Sequence, residues 1–120
     1  MTKKQDSFKD FVLDQLRGLG AVQARAMFGG YGLYSQGNSK AEFFGIIHKG
    51  RLFFRTNDES RAAYRARGLT PFRPNPKQTI KTYYEVPVDV MEDLDLLSDW
   101  ARMAIQTARS EHLKRADSMS

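Results

Sequence analysis

Residues 25–34 read RAMFGGYGLY, three glycines set among Met27, Phe28, Tyr31, Leu33 and Tyr34. Two kinds of structure use such a mixture. One is a glycine-rich loop that cradles phosphate, and the other is a strand that must bend or let a second backbone come close. A dinucleotide fingerprint needs G-x-G-x-x-G between a strand and a helix. Here the pattern is G-G-x-G, and the following Leu33-Tyr34 reads as more strand. The G-x-x-x-x-G-K-[ST] phosphate loop is absent. Gly29, Gly30 and Gly32 are therefore read as marks of a curve or a close approach in a sheet. The aromatic residues fill the space beneath.

Working outward, Ala24, Ala26 and Phe28 alternate with Arg25 and Met27, which predicts one strand over 24–34. SQGNSK (35–40) is a turn-rich break. EFFGIIH (42–48) and RLFFR (51–55), separated by Lys49-Gly50, complete a three-stranded antiparallel meander. Before it, Ser7 is read as the N-cap of a helix whose stripe is Phe8, Phe11, Val12, Leu16 and Leu19. Asp10 lies in its first turn, and Gly18 and Gly20 close it. After it, TNDES offers N-caps for a helix over Ser60–Arg67, with Gly68 as the stop. TPFRPNPKQ (70–78) holds three of the four prolines and predicts an irregular connection with a short strand around Phe72. IKTYYEV (80–86) is a further strand, ended by Pro87. Asp89 with Glu92 reads as the start signal of a long helix, preceded by a short turn. Leu97, Trp100, Ala101, Ala104, Ile105 and Ala108 form its apolar face. The expected fold class is α+β, an antiparallel sheet of about five strands with helices packed on it. The order is α-β-β-β-α-β-β-α in a single domain over 1–120, with 1–6 and 114–120 as flexible tails.

The chain has 120 residues, 41% of them hydrophobic and 28% charged, as ordinary globular domains have. It contains no cysteine, which removes disulfides, thiolate nucleophiles and cysteine-ligated zinc. The polar N-terminus is not a secretory signal, and no stretch reaches the ~18 apolar residues of a membrane helix. The expectation is a cytoplasmic protein with no membrane contact. The net charge of +5 is unevenly spread. Residues 51–81 carry eight Lys/Arg against Asp58 and Glu59, whereas residues 82–99 carry six acids and no base. A polarised surface of this kind steers nucleic acid or an oppositely charged partner.

His48 and His112, the only two histidines, are far apart and form no H-x-x-x-H pair, so no metal site is expected. The acids of 89–99 lack calcium-loop spacing and suit a helix start. No G-x-S-x-G or similar nucleophile setting appears, so no catalytic residues are assigned. The basic block gives the candidate nucleic-acid or acidic-partner residues Arg61, Arg65, Arg67, Arg73, Lys77 and Lys81. Phe72, Tyr83 and Tyr84 are near enough in sequence to offer stacking surfaces. A third reading is a small-molecule or enzymatic pocket near Tyr83, Tyr84 and Glu85.

With these pieces in place, the chain resembles the TfoX/Sxy family in its N-terminal domain. The stretches that carry the likeness are RAMFGGYGLY (25–34), FFGIIHKGRLFFRTN (43–57), YRARGLTPF (64–72), YYEVPVDVMED (83–93) and WARMAIQTA (100–108). The motif residues are Arg25, Phe28, Gly29, Gly30, Gly32, Tyr83, Tyr84, Glu85, Pro87 and Trp100, all expected to be structural. The resemblance implies a small two-layer α+β domain similar to secretion-chaperone-like folds, without cofactor or enzymatic activity. It implies a role in regulating DNA transformation, or competence, by protein contact. The implied partner is a transcription factor or polymerase, with the cyclic-AMP receptor protein as candidate. Longer members carry a second, helical C-terminal domain, and this chain is expected to be the stand-alone N-terminal one. Monomer and homodimer both remain open, and direct nucleic-acid binding is the alternative function.

Overall fold

The computed structural model describes the backbone of residues 3–27, 29–36 and 41–119, and the side chains of 6–27, 29–36 and 41–111. In it the RAMFGGYGLY stretch turns back on itself. Val22–Met27 forms β1 and Gly30–Gln36 forms β2, antiparallel, with Met27 opposite Gly30 and Arg25 opposite Gly32. The single strand expected over 24–34 is thus a hairpin. Gly29 sits in the reversal with φ at 78°, where an L side chain would be strained. Gly30 and Gly32 lie inside the ladder. A Cβ on Gly30 would stand 2.0 Å from the Ile47 carbonyl oxygen, and one on Gly32 would meet Met27 Sδ at 3.0 Å. The close backbone approach inferred from sequence is borne out at Gly30, whereas Gly32 is crowded by the Met27 and Phe43 side chains. The bend is sharper than expected because Gly29 makes a turn. Phe28 lies outside the described residues.

Ala41–His48 forms β3 and Arg51–Arg55 forms β4. Pro71–Asn75 forms β5 and Gln78–Glu85 forms β6. The sheet has six strands in the order β1-β2-β3-β4-β6-β5, every pairing antiparallel. The strand count exceeds the expected five because residues 24–34 divide. The proline-rich connection contains the expected short strand around Phe72. β5 runs into the Pro76–Lys77 turn and pairs with β6, with shifts of register at Phe72. Pro71 and Pro74 fall on this outermost strand, where a missing N–H breaks no ladder.

The sheet has two apolar faces, and a second irregularity sets which of them the end of β3 serves. Leu33 pairs with Gly45 and Tyr34 with Phe43, so Phe44 is an extra residue in β3. A bulge of this kind changes which face the following side chains take. Phe44 and Ile47 join Leu33, Leu52, Phe54, Tyr84 and Val86 in the main core. Ile46 joins Phe53, Phe72 and Tyr83 in a separate cluster, with Phe43 and Ile80 against it. Along β4, Leu52 and Phe54 point one way and Phe53 the other, as strand alternation demands.

Helices cover the main-core face. α1 spans Lys3–Gln15 and is followed by a 3-10 turn over Arg17–Leu19. It starts before Ser7, so Ser7 is an interior residue and not the cap. Val12 and Leu16 enter the core. α2 spans Asp58–Ala66 and starts two residues earlier than expected. Asn57 caps it, accepting from the Ser60 amide at 2.7 Å, while Ser60 Oγ accepts from the Asn57 amide at 3.0 Å. Its end follows the expectation at Gly68. The Gly68 amide donates to Arg65 and the Leu69 amide to Tyr64, satisfying the last carbonyls. Pro87 precedes a short helix α3, Val88–Met91, and α4 runs Leu94–Met119. The start signal of the long helix lies at Asp93, not Asp89. The Asp93 carboxylate accepts from the amides of Asp95 and Leu96, both at 3.1 Å. α4 lies against β3 and β4 through buried Leu97, Ala101, Ala104 and Ile105. Of the ends read as tails, residues 1–2 and 120 lie outside the described residues, while 3–6 and 114–119 are helical backbone.

Candidate functional site

Two concave features stand out, one on each side of the sheet. The first is an open groove of about 510 Å³ between α2 and α4, lined by Asn57, Glu59, Ser60, Ala63, Tyr64, Arg67, Asp99, Trp100 and Met103. Its floor is aromatic. Tyr64 and Trp100 meet edge to face with ring centroids 4.9 Å apart, and Tyr64 continues to Tyr84 at 6.0 Å. Burial raises the Tyr64 phenol far above its ordinary pKa, so it stays neutral. The Arg67 guanidinium lies 5.4 Å from the Trp100 ring centroid and bonds Asp89 at 2.8 Å. That partner holds the Asp89 carboxyl below its ordinary range. Met103 is 51% exposed at the groove wall, and Leu96, one turn before Trp100, is 42% exposed. The rim carries Glu59, Arg67 and Asp99, of which Asp99 is paired with Arg102 at 3.2 Å and Arg67 with Asp89.

The second feature is an open cleft of about 570 Å³ on the opposite face, between the β3–β4 turn and the β5–β6 hairpin. His48, Lys49, Arg51, Phe53, Thr70, Pro71, Arg73, Thr79 and Glu85 line it. Arg51 reaches Glu85 at 3.3 Å. The His48 ring stands edge-on to Phe72, with centroids 5.2 Å apart. Burial first, and the neighbouring Lys49 second, lower the His48 pKa.

Compared with protein families, residues 14–108 match the TfoX N-terminal domain. The chain belongs to the TfoX N-terminal domain family. That match takes in the sheet, α2, α3 and most of α4. A search of curated proteins finds no match.

The TfoX motif residues now have places. Arg25 lies over the Tyr34 ring at 4.4 Å, Tyr34 stacks on Phe43 at 5.2 Å, and Phe43 meets Tyr83 at 5.2 Å. Arg55 closes this row from the far side, 5.6 Å from the Tyr83 centroid. Burial pushes the Tyr83 phenol up to about 12, against the pull of Arg55. Tyr83, Tyr84 and Glu85 do not converge on one pocket. Strand alternation sends Tyr84 to the helix side, where Arg65 Nε donates to its hydroxyl at 3.1 Å, and Glu85 to the cleft. Pro87 leads into α3, and Trp100 floors the groove.

The basic candidates of this TfoX domain are divided. Arg61 donates to Thr56 Oγ1 at 3.2 Å and to Asp58 at 2.9 Å. Arg65 and Arg67 hold Tyr84 and Asp89, so all three arginines on and just after α2 have intramolecular partners. Arg73 joins the cleft instead, beside Lys49 and Arg51. Lys77 lies in the β5–β6 turn and Lys81 on β6. Sequence reasoning left Lys49 and Arg51 out of the patch because they fall in a different hairpin from Arg73. Their pairing with the β5–β6 hairpin is long-range and leaves no local signal. His112 lies outside the described side chains. Among the described residues no three His, Cys, Asp or Glu gather to hold a metal, and no helix is long and apolar enough to cross a membrane.

Proposed function

We propose that this TfoX N-terminal domain is a non-enzymatic regulatory domain that acts in transcription by protein contact. The α2–α4 groove is the contact site. Its apolar aromatic floor, with Met103 half exposed at the wall, is the observation that carries this reading. Grooves of this shape take an amphipathic segment whose apolar anchors fill the floor. Glu59 on the rim offers a carboxylate to a Lys or Arg beside those anchors. The partner class follows from the family likeness, a transcription factor or polymerase, with the cyclic-AMP receptor protein as first candidate and competence as the process.

Trp100 is the sole tryptophan and reports occupancy of the groove directly. Titrating the full chain with purified cyclic-AMP receptor protein, then with RNA polymerase, should give a saturable change in Trp100 emission. Met103→Glu should abolish it while leaving stability within about 0.5 kcal/mol, as an exposed position allows. Binding by Met103→Glu equal to wild type, or no binding to either protein, sinks the proposal.

A further inference from the structure

We propose that the cleft between the β3–β4 turn and the β5–β6 hairpin is an anion site that takes the phosphate group of a small phosphorylated ligand. Three permanent cations, Lys49, Arg51 and Arg73, line one cavity against a single carboxylate, Glu85. Gathering like charges in one cleft costs free energy unless an anion answers them. Thr70 and Thr79 add hydroxyl donors at the wall, and Phe53 and Pro71 supply apolar surface for the rest of a ligand.

The internal partners of these cations leave room for a stronger one. Arg51 and Glu85 are 3.3 Å apart, longer than the ~2.7–2.9 Å of a tight charge-assisted bond. Arg73 spends one donor on the Pro76 carbonyl at 3.1 Å, and a guanidinium has five. Lys49 is the non-glycine residue with positive φ among the described residues, at 51°. Asparagine or aspartate is the usual choice there in a two-residue hairpin, so local stability does not account for the lysine. His48 completes the wall.

The dimensions favour a small molecule over a nucleic-acid strand. The volume of about 570 Å³ lies within the ~300–1,000 Å³ range of small-molecule pockets. A strand needs cations spaced along a track, whereas these share a single cavity. The site lies on the sheet face opposite the α2–α4 groove, so neither assignment depends on the other.

The test is an NMR titration of the full chain at low ionic strength with inorganic phosphate and with pyrophosphate. Sodium chloride of matched ionic strength is the control, and a short oligothymidylate is a separate arm. Phosphate and pyrophosphate should give saturable amide shifts confined to His48–Arg51, Thr70–Arg73 and Thr79. The His48 pKa should rise, because a bound dianion favours the imidazolium. Arg73→Gln should weaken binding by about tenfold, the usual worth of one charged hydrogen bond, and Arg102→Ala on α4 should leave it unchanged. Lys49→Asn, which suits the positive φ, is a second variant should Arg73→Gln fold poorly, with the same loss expected. Shifts equal to those in sodium chloride, a fixed His48 pKa, or unchanged binding by both variants would overturn the proposal. Saturable binding of oligothymidylate alone would overturn it too, and would mark a nucleic-acid surface.

Discussion

Replacing Gly30 by alanine tests the physical account of the glycine-rich stretch. The new Cβ would lie 2.0 Å from the Ile47 carbonyl oxygen, a full 1.0 Å inside the 3.0 Å limit that real Cβ atoms respect. The obstacle is backbone, so no rotamer change relieves it. Either β2 or β3 must retreat by about a fifth of the ~4.8 Å strand spacing, opening the ladder next to Tyr31 and Ile47. Overpacking of a core costs about 1–3 kcal/mol, and disturbing backbone pairing adds to it, so the expected loss is about 3–5 kcal/mol. That is a large share of the ~5–15 kcal/mol stability of an ordinary domain. With a urea m-value of about 2 kcal/mol/M, the midpoint should fall by roughly 1.5–2.5 M. Gly18→Ala is the matched control, because no atom lies within 4 Å of its Cβ position. It should leave stability unchanged or raise it by about 0.4–1 kcal/mol through the unfolded chain. A Gly30→Ala midpoint within about 0.3 M of wild type would refute the close-approach explanation and reopen the question of why glycine stands there.

Two further expectations follow from the cap and the buried phenols. Asn57→Ala should cost about 1–2 kcal/mol in thermal or urea unfolding by removing the capping box of α2, and Asn57→Ser should recover most of it; equal stability of wild type and Asn57→Ala would show that the box contributes nothing. Tyr83 is raised from 10.0 to about 12 by burial, so its contribution is complete below pH 10 and is lost as pH climbs toward 12. The loss from Tyr83 should reach roughly 2–3 kcal/mol, and Tyr83→Phe should remove that part of the alkaline decline while the part due to Tyr64 remains; an unchanged profile in the variant would count against it.

Much of the fold was legible because its signals are local. The Asn57–Gly68 helix shows its start and stop in residues that act within one turn. The alternation of RLFFR places Leu52 and Phe54 on one face and Phe53 on the other without help from the rest of the chain. Errors came where two local signals compete. Asp89 and Asp93 are both good helix starters, and each takes one: Asp89 lies in the first turn of α3, where it also bonds Arg67, and Asp93 caps α4. Residues 24–34 keep strand-like alternation through the reversal, so periodicity alone could not show that Gly29 turns the chain. The candidate sites were less readable. The six cations were grouped by nearness in sequence, but α2 binds its arginines to Thr56, Asp58, Tyr84 and Asp89. Only Arg73 meets the two cations of the neighbouring hairpin.

The sequence by itself determined the α+β class, most of the order of helices and strands, the family, and the close approach at Gly30. Each of these rests on local propensity, on period, or on a motif carried by adjacent residues. Tertiary structure alone decided that Phe44 bulges, which sends Ile46 to the second apolar face and Ile47 to the main core. It also decided that Trp100 and Tyr64 floor one groove while Lys49, Arg51 and Arg73 share another. The reason is that β6 inserts between β4 and β5, bringing together side chains from hairpins separated by a helix. A chain's local preferences carry no record of such a neighbour until the whole sheet has formed.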